Sequence, residues 1–136
     1  ATFISWILKV KSNIDSGTFR GIQLAAAEAY NTNTPAWHRE YNVEIYKRRR
    51  KMAQQIMTVL GCTFDNRQVG MFLWGHIPEK YADAEELTER ILHEAKVFIT
   101  PGFIFGSNGR RYIRISLCAD EAKIEQALQR IRSVAW

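Results

Sequence analysis

From residue 18 to residue 61 the hydrophobic and polar positions predict two helices separated by a short break. Residues 18–30 are rich in alanine, the strongest helix former. Pro35 suits the first turn of the next helix, with Thr34 as its N-cap, and Gly61 is placed to end that helix. The apolar positions of the second helix recur at spacings of about three and four, which predicts a buried face: Tyr41, Ile45, Met52, Ile56 and Leu60.

Beyond Gly61 the period changes, and short apolar runs predict strands with a helix between them. Strands are expected near residues 63–65 and 70–77. The spacing of Asp83 and Glu86 resembles that of a capping box, which predicts the start of a helix. A last helix, capped by Asp120, has apolar residues at helical spacing: Ile124, Ala127, Leu128 and Ile131.

A hairpin-like unit spans residues 96–117 and contains the clearest alternation in the chain. The second strand of this unit alternates strictly between an apolar and a polar face: Ile113, Ile115 and Leu117 against Tyr112, Arg114 and Ser116. The order of elements along the whole chain predicts an α+β fold. We expect a small, mainly antiparallel sheet with helices packed on one face.

Composition agrees with a soluble globular domain. The 136 residues are 46% hydrophobic and 24% charged, enough for one core. No apolar run approaches the roughly 20 residues of a membrane-spanning helix, and the apolar residues 1–8 lack the basic leader and cleavage site of a signal peptide. We expect Cys62 and Cys118 to pack as small hydrophobic side chains. Two cysteines do not indicate a disulfide framework or a zinc site. A cytoplasmic protein without a metal site or membrane contact is therefore expected.

The net charge of +5 raises the question of a nucleic-acid partner, mainly because of the basic run at residues 47–51. On a helix, five consecutive residues span more than one turn, so their charges point around the axis instead of forming a stripe. We interpret this run as a solvated face or as the flank of a cleft. No nucleic-acid partner is expected.

Arg114 is the candidate functional residue that the alternation indicates. A guanidinium in the middle of a strand is held rigidly, and its planar fork can bind a carboxylate or a phosphate through two parallel hydrogen bonds. The alternative is a solvated side chain on the outer face of a half-buried sheet, which antiparallel sheets often have. Alternation alone favours the solvated side chain.

The residues around Arg114 carry a resemblance to a known family. The run PGFIFG at residues 101–106, a glycine-containing turn and the strand YIRISL at residues 112–117 resemble the C-terminal signature of the class I/II, fold-type I aminotransferases, which depend on pyridoxal phosphate. In that family the arginine of this strand binds the α-carboxylate of the amino-acid substrate. The resemblance implies this role for Arg114 and implies that Phe105 lies near the substrate.

Three further segments resemble the family in the same order. Residues 11–17, KSNIDSG, resemble the segment that leaves the large domain and approaches the active site of the neighbouring subunit. This resemblance implies that Ser12 and Asn13 contact that active site. Residues 70–74 resemble the strand that opens the sheet of the small domain, and residues 46–61 resemble the family's arginine-rich helix.

The resemblance also implies a domain organisation. Residues 1–32 would be a remnant of the large domain with the interdomain helix, and residues 33–136 would be the C-terminal small domain. The implied partners are amino-acid and 2-oxo-acid substrates, the missing large domain, and a second copy of the full-length enzyme in a homodimer. The implied cofactor is pyridoxal phosphate in the full-length enzyme.

The lysine that the reaction needs is missing from this chain. Transamination requires a lysine that forms a Schiff base with the cofactor and an acid beside the pyridine nitrogen, and the family carries both upstream of these residues. The lysines present lack the small-residue, serine-preceded setting of that lysine: Lys9, Lys11, Lys47, Lys51, Lys80, Lys96 and Lys123. We therefore expect a C-terminal piece of a longer enzyme, with no catalytic residue, bound cofactor or activity of its own.

The choice of substrate depends on the segment around Ser12. In dicarboxylate-specific members a cation lies a few residues before the serine that Ser12 resembles, whereas four positions back is Leu8 and three back is Lys9. This departs from simple aspartate specificity. The KSNIDSG form resembles bacterial members related to the diaminopimelate and broad-specificity enzymes.

Two other classes of function stay open. One is a free-standing α+β module in which the loop at residues 101–109 binds a small anion through backbone amides. The other is a basic interaction domain that binds nucleic acid or an acidic protein surface without catalysis.

Overall fold

A computed structural model describes residues 2–15 and 17–136, so Ala1 and Ser16, the latter in the KSNIDSG segment, lie outside the described residues. The chain divides into two compact units, Ala1–Arg39 and Glu40–Trp136. The domain boundary that the resemblance implies, between residues 32 and 33, stays a prediction. Every helix in the described part of the chain is too short or too polar to cross a lipid bilayer.

The first unit is helical. Helix α1 spans Thr2–Asp15, helix α2 spans Arg20–Thr32, and the short helix α3 spans Pro35–His38. Thr34 caps α3 as predicted, because its hydroxyl oxygen accepts a hydrogen bond of 3.2 Å from the amide of Trp37. Helix α2 contains no buried residue, and the same holds for the described side chains of α1.

The long helix predicted from Pro35 to Leu60 is present, but its geometry changes along its length. A π-helical segment, Arg39–Ile45, follows α3, and helix α4 then spans Tyr46–Val59. Gly61 ends this run as predicted, with a φ of +72° that favours glycine. The π-helical segment shifts the rotation of the side chains relative to a regular helix, since it has more residues per turn.

The apolar face predicted for this helix is buried only in its second half. Ile56 and Leu60 are buried, together with Ala53 and Met57, whereas Tyr41 is exposed. The predicted face was therefore wrong for Tyr41, while Ile45 and Met52 are half-buried and Ile56 and Leu60 are fully buried.

The second unit contains one antiparallel sheet of three strands. Strand β1 spans Phe72–His76, β2 spans Thr100–Pro101 and β3 spans Tyr112–Ser116, in the order β1-β3-β2. The central strand β3 therefore pairs on both sides. The strand predicted at residues 63–65 is reduced to a single bridge between Thr63 and His76.

Helices cover one face of this sheet, which confirms the predicted α+β class. Besides α4, they are α5 at Ala84–Arg90 with a π-helical turn at Ile91–Ala95, and α6 at Glu121–Arg132. The N-caps are those predicted: a carboxylate oxygen of Asp83 accepts from the amide of Glu86, and one of Asp120 accepts from the amide of Lys123. The largest fully buried side chains come from the sheet, the helices and their connections: Met57, Leu60, Leu73, Ile77, Leu87, Ile91, Ile113, Leu117, Leu128 and Ile131.

The two cysteines differ in their surroundings. Cys62 packs in the core as predicted, and burial raises the pKa of its thiol to about 12 because the thiolate would be poorly solvated. Cys118 is exposed, so the prediction that it packs as a small hydrophobe was wrong. It lies two residues beyond β3 and falls on the outward-facing positions of the alternation, with Tyr112, Arg114 and Ser116.

Candidate functional site

Arg114 lies on the face of the sheet opposite the helices. Its neighbours Ile113 and Ile115 are buried, while Arg114 is half-buried and Tyr112 and Ser116 are exposed. The alternation predicted for this strand is confirmed. Because β3 is central, Arg114 has a cross-strand partner on each side: Trp74 on β1 and Thr100 on β2. The guanidinium is thus carried by the best-supported strand of the sheet.

The guanidinium of Arg114 lies against aromatic rings. Its Cζ atom is 4.1 Å from the ring centroid of Phe72 and 4.1 Å from that of Phe105. The ring of Trp74 is farther, with its centroid 6.0 Å from the same atom, and it meets Phe105 edge to face at a centroid distance of 5.5 Å. Cations are attracted to the negative faces of such rings.

Arg114 has no acidic partner in the described part of the chain. Its side chain forms neither an ion pair nor a hydrogen bond with a described residue, and its Nε atom is buried without a partner. A buried donor without a partner is unfavourable, since it has lost its water. The terminal nitrogens of Arg114, which form no hydrogen bond with a described residue, are available to an incoming carboxylate.

Phe105 reaches Arg114 because the loop after β2 folds back over this face of the sheet. Gly102–Phe105 and Ser107–Gly109 form two short 3₁₀ turns. Gly102 and Gly109 pack backbone to backbone, and a Cβ atom on Gly102 would lie 2.6 Å from the carbonyl oxygen of Tyr112. Only glycine allows this close approach, so the glycines that bound the loop determine where Phe105 is placed.

The hydrogen bonds of these turns argue against the alternative function, in which backbone amides of the loop at residues 101–109 bind a small anion. The amide of Gly106 donates to the carbonyl of Phe103, that of Gly109 to Gly106, and that of Arg110 to Ser107. These three donors are already used inside the loop. The loop instead presents the exposed ring of Phe105 beside the guanidinium.

Arg111 is a structural residue that the sequence pattern does not indicate. Its guanidinium donates to the carbonyl oxygens of Tyr81, Ala82 and Pro78, and it pairs with Glu79 at 3.2 Å. Arg111 thus holds the turn between β1 and α5. Its neighbour Arg110 is an exposed charge that faces Asp83 at 3.6 Å. The resemblance carried no signal for Arg111, since its partners are carbonyl groups that any sequence supplies.

The basic run at residues 47–51 is partly used in internal contacts. Arg48 pairs with Glu121 on α6 at 3.0 Å, and Arg49 donates to the carbonyl oxygen of Leu117 at 3.1 Å. Arg50 donates to the carbonyl oxygen of Gly70, and burial lowers the pKa of its guanidinium. The interpretation of this run as a solvated face was therefore wrong for the half-buried Arg49 and Arg50, while Arg48 is exposed and its ion pair joins α4 to α6.

Ser12 and Asn13 lie on α1 in the first unit, and both are exposed. The hydroxyl of Ser12 donates to the carbonyl oxygen of Lys9 at 3.0 Å, and the side-chain amide of Asn13 donates to the same oxygen at 2.8 Å. Ser12 also lines a groove of about 620 Å³ between α1 and α2. The structure thus brings Arg114 and Phe105 together, while the role implied for Ser12 and Asn13 stays a prediction.

Comparison with known proteins shows the family of this chain. The family model for class I and II aminotransferases matches residues 1–131. The chain belongs to the class I and II aminotransferase family. Its helices and antiparallel sheet have the α+β architecture of a small domain, and its structural neighbours are aminotransferases.

Individual aminotransferases match nearly all of the chain. The LL-diaminopimelate aminotransferase of Oleidesulfovibrio alaskensis is 34% identical over 98% of the chain, which covers 34% of that protein. A Methanococcus jannaschii protein, whose active site resembles those of kynurenine aminotransferases, superposes with a TM-score of 0.73 at 30% identity, covering 98% of the chain and 35% of the other. Substrate-bound BacF of Bacillus subtilis superposes with a TM-score of 0.73 at 28% identity, and the match covers 97% of this chain and 33% of BacF.

The chain spans about a third of the length of these aminotransferases. Full-length aminotransferases of this family use pyridoxal phosphate. The residues of this chain do not fit the attachment site of that cofactor, because all of its lysines are exposed and Thr88 is the buried polar residue among those described. Neither a sheltered lysine nor a buried acid for the pyridine nitrogen is present in that part of the chain.

Proposed function

We propose that this chain is the C-terminal small domain of a pyridoxal-phosphate-dependent aminotransferase, which transfers an amino group between an amino acid and a 2-oxo acid. Arg114 binds the α-carboxylate of the substrate in this proposal, and Phe105 lies beside it. The observation that carries the proposal is the unpaired guanidinium on the outer face of the central strand, within the run that resembles the family's C-terminal signature.

The chemistry of the guanidinium supports this role. Two parallel hydrogen bonds from a guanidinium to a carboxylate fix both the position and the plane of that group. The aromatic rings contact Arg114 without accepting its hydrogen bonds, so the donors stay free. Because Arg114 is half-buried among these rings, its ion pair with a carboxylate is screened less than one in bulk solvent.

The chain's contribution to the reaction is to bind and to orient. A substrate fixed by its α-carboxylate presents its amino group in a defined direction, which lowers the entropic part of the barrier. The lysine and the cofactor belong to the rest of the full-length enzyme in this proposal. The isolated chain is therefore inactive, and Ser12 and Asn13 contact the active site of the neighbouring subunit in a homodimer.

The test of this function is the variant Arg114→Lys in the full-length enzyme. Lysine keeps the charge but loses the fork, so we expect KM for the amino-acid substrate to rise roughly 10- to 100-fold, from the free energy of hydrogen bonds to charged groups. The first substrate to assay is LL-diaminopimelate, the substrate in the names of several relatives. Arg110→Lys is the matched control, since Arg110 is exposed. An unchanged KM in Arg114→Lys would contradict the proposal.

A further inference from the structure

We propose that Phe72 is a positioning residue for Arg114: its ring holds the guanidinium in the orientation that accepts a carboxylate, without itself contacting the substrate. This inference rests on the proposed function of Arg114. It gives Phe72, the first residue of β1, an indirect part in substrate binding, argued from the contacts of its ring with Arg114.

The direction of the Arg114 side chain indicates this role. The Cα partner of Arg114 is Trp74, while Phe72 pairs with Ser116, one diagonal step away. Yet the Cζ atom of Arg114 is 4.1 Å from the ring centroid of Phe72 and 6.0 Å from that of Trp74. The side chain thus leans along the strand toward Phe72. Diagonal neighbours on one face of a sheet are within reach of long side chains.

The Phe72 ring can orient the guanidinium without using its hydrogen-bond donors. All donors of a guanidinium lie in its plane, so contact with a ring face restricts that plane and leaves the donors at its edge free. In the described part of the chain, hydrogen bonds that could fix the Arg114 fork are absent. The aromatic contacts are therefore what restrains it before substrate arrives, and prior restraint reduces the entropy lost on binding.

Phe72 is the more rigid of the two rings that contact Arg114. It precedes the fully buried Leu73, and the backbone of Trp74 is held on its free edge by the side chain of Gln68, which accepts from its amide at 2.9 Å and donates to its carbonyl at 2.8 Å. Phe105, by contrast, ends a short turn and is 50% exposed. We assign substrate contact to Phe105 and support of the guanidinium to Phe72.

The test compares Phe72→Leu with Phe72→Tyr in the full-length holoenzyme. Leucine keeps an apolar side chain but removes the ring face, so KM for the amino acid should rise roughly three- to tenfold, as a cation–π contact predicts. The inhibition constant of the desamino carboxylic acid should rise equally, because it binds through the same carboxylate. kcat should stay within twofold, because Arg114 itself is still present to orient the substrate once it is bound. Tyrosine restores the ring face and should return KM and the inhibition constant to their original values.

Two controls separate this inference from a general loss of structure. Phe98→Leu makes the same substitution at an exposed ring and should leave KM and the inhibition constant unchanged. In an Arg114→Lys background, Phe72→Leu should add no further increase, since the group that it positions is gone. If Phe72→Leu does not fold, Phe72→Met carries the same expectation, because it also fills the space without a ring.

The outcomes distinguish the two proposals. If Arg114→Lys leaves KM and the inhibition constant unchanged, the proposed function fails. If Arg114→Lys raises both constants but Phe72→Leu behaves like Phe98→Leu, the function stands and the positioning role of Phe72 is refuted. If kcat and thermal stability both fall in Phe72→Leu and neither recovers in Phe72→Tyr, Phe72 is a structural residue and its positioning role is refuted.

Discussion

At the scale of single residues, the surroundings of an arginine decide what it does. Arg111 and Arg114 are three positions apart, yet carbonyl oxygens and Glu79 take up the donors of Arg111, while aromatic rings leave those of Arg114 unpaired. A guanidinium saturated by its own chain stabilises the fold. One that the fold leaves unsaturated is available to a ligand.

The stabilising role of Arg111 leads to a prediction for Arg111→Met. Methionine keeps much of the apolar stem but leaves carbonyl oxygens of the β1–α5 turn without their donor, so the free energy of unfolding should fall by about 2–3 kcal/mol. Arg110→Met is the control and should change it by less than about 1 kcal/mol, because the Arg110 side chain is exposed and its ion pair with Asp83 is long. Urea unfolding measures both. Equal losses would show that the carbonyl contacts contribute nothing specific.

Some residues could be assigned from the sequence and others could not. The N-caps Thr34, Asp83 and Asp120 were predicted because a cap depends on residues three or four positions apart. The outward direction of Arg114 was predicted because a strand alternates. The contact of Arg114 with Phe72 was not, since it joins residues 42 positions apart through a strand register that only the fold defines.

At the scale of elements, the sequence pattern predicts those helices and strands that bury one face. It does not predict features that depend on strand pairing or on a change in helical geometry. Helix α6 and strand β3 have the faces expected of them. The segment at residues 63–65 has a strand-like composition but forms a single bridge with His76, because the side chain of Gln68 already bonds the amide and the carbonyl of Trp74, the next pairing position on that edge of β1. The π-helical segment before α4 displaces the predicted apolar face, and a regular helical period cannot anticipate that change.

The loop that carries Phe105 gives a prediction at this scale. A Cβ atom on Gly109 would overlap the backbone of Gly102, so Gly109→Ala must force the two turns apart. We expect the free energy of unfolding to fall by about 1–3 kcal/mol, the usual range for overpacking. Ser107→Ala, at an exposed position of the same turn, is the control and should be close to neutral. Thermal or urea unfolding distinguishes them, and a neutral Gly109→Ala would mean that the loop can open without loss.

At the scale of the whole molecule, the two units differ in what they bury. Among the described residues, the buried hydrophobic ones lie between Ala53 and Ile131, all in the second unit. The first unit instead exposes large apolar side chains along α1 and α2, including Phe3, Trp6 and Ile22. Contiguous apolar surface of this kind marks a surface that associates with other protein. The stability of the chain and its tendency to associate should therefore reside in different units.

Removal of residues 1–33 tests this division. The shortened chain keeps Thr34 and Pro35, which begin α3, and it keeps every buried hydrophobic residue. We expect its urea midpoint and the denaturant dependence of its unfolding free energy to match those of the full 136 residues, because both quantities follow the surface buried by the core. Sedimentation should show self-association of the longer chain and a monomer for the shorter one, since the exposed apolar side chains of α1 and α2 are gone. A large drop in midpoint on truncation, or equal self-association of both chains, would contradict the assignment of stability to the second unit and association to the first.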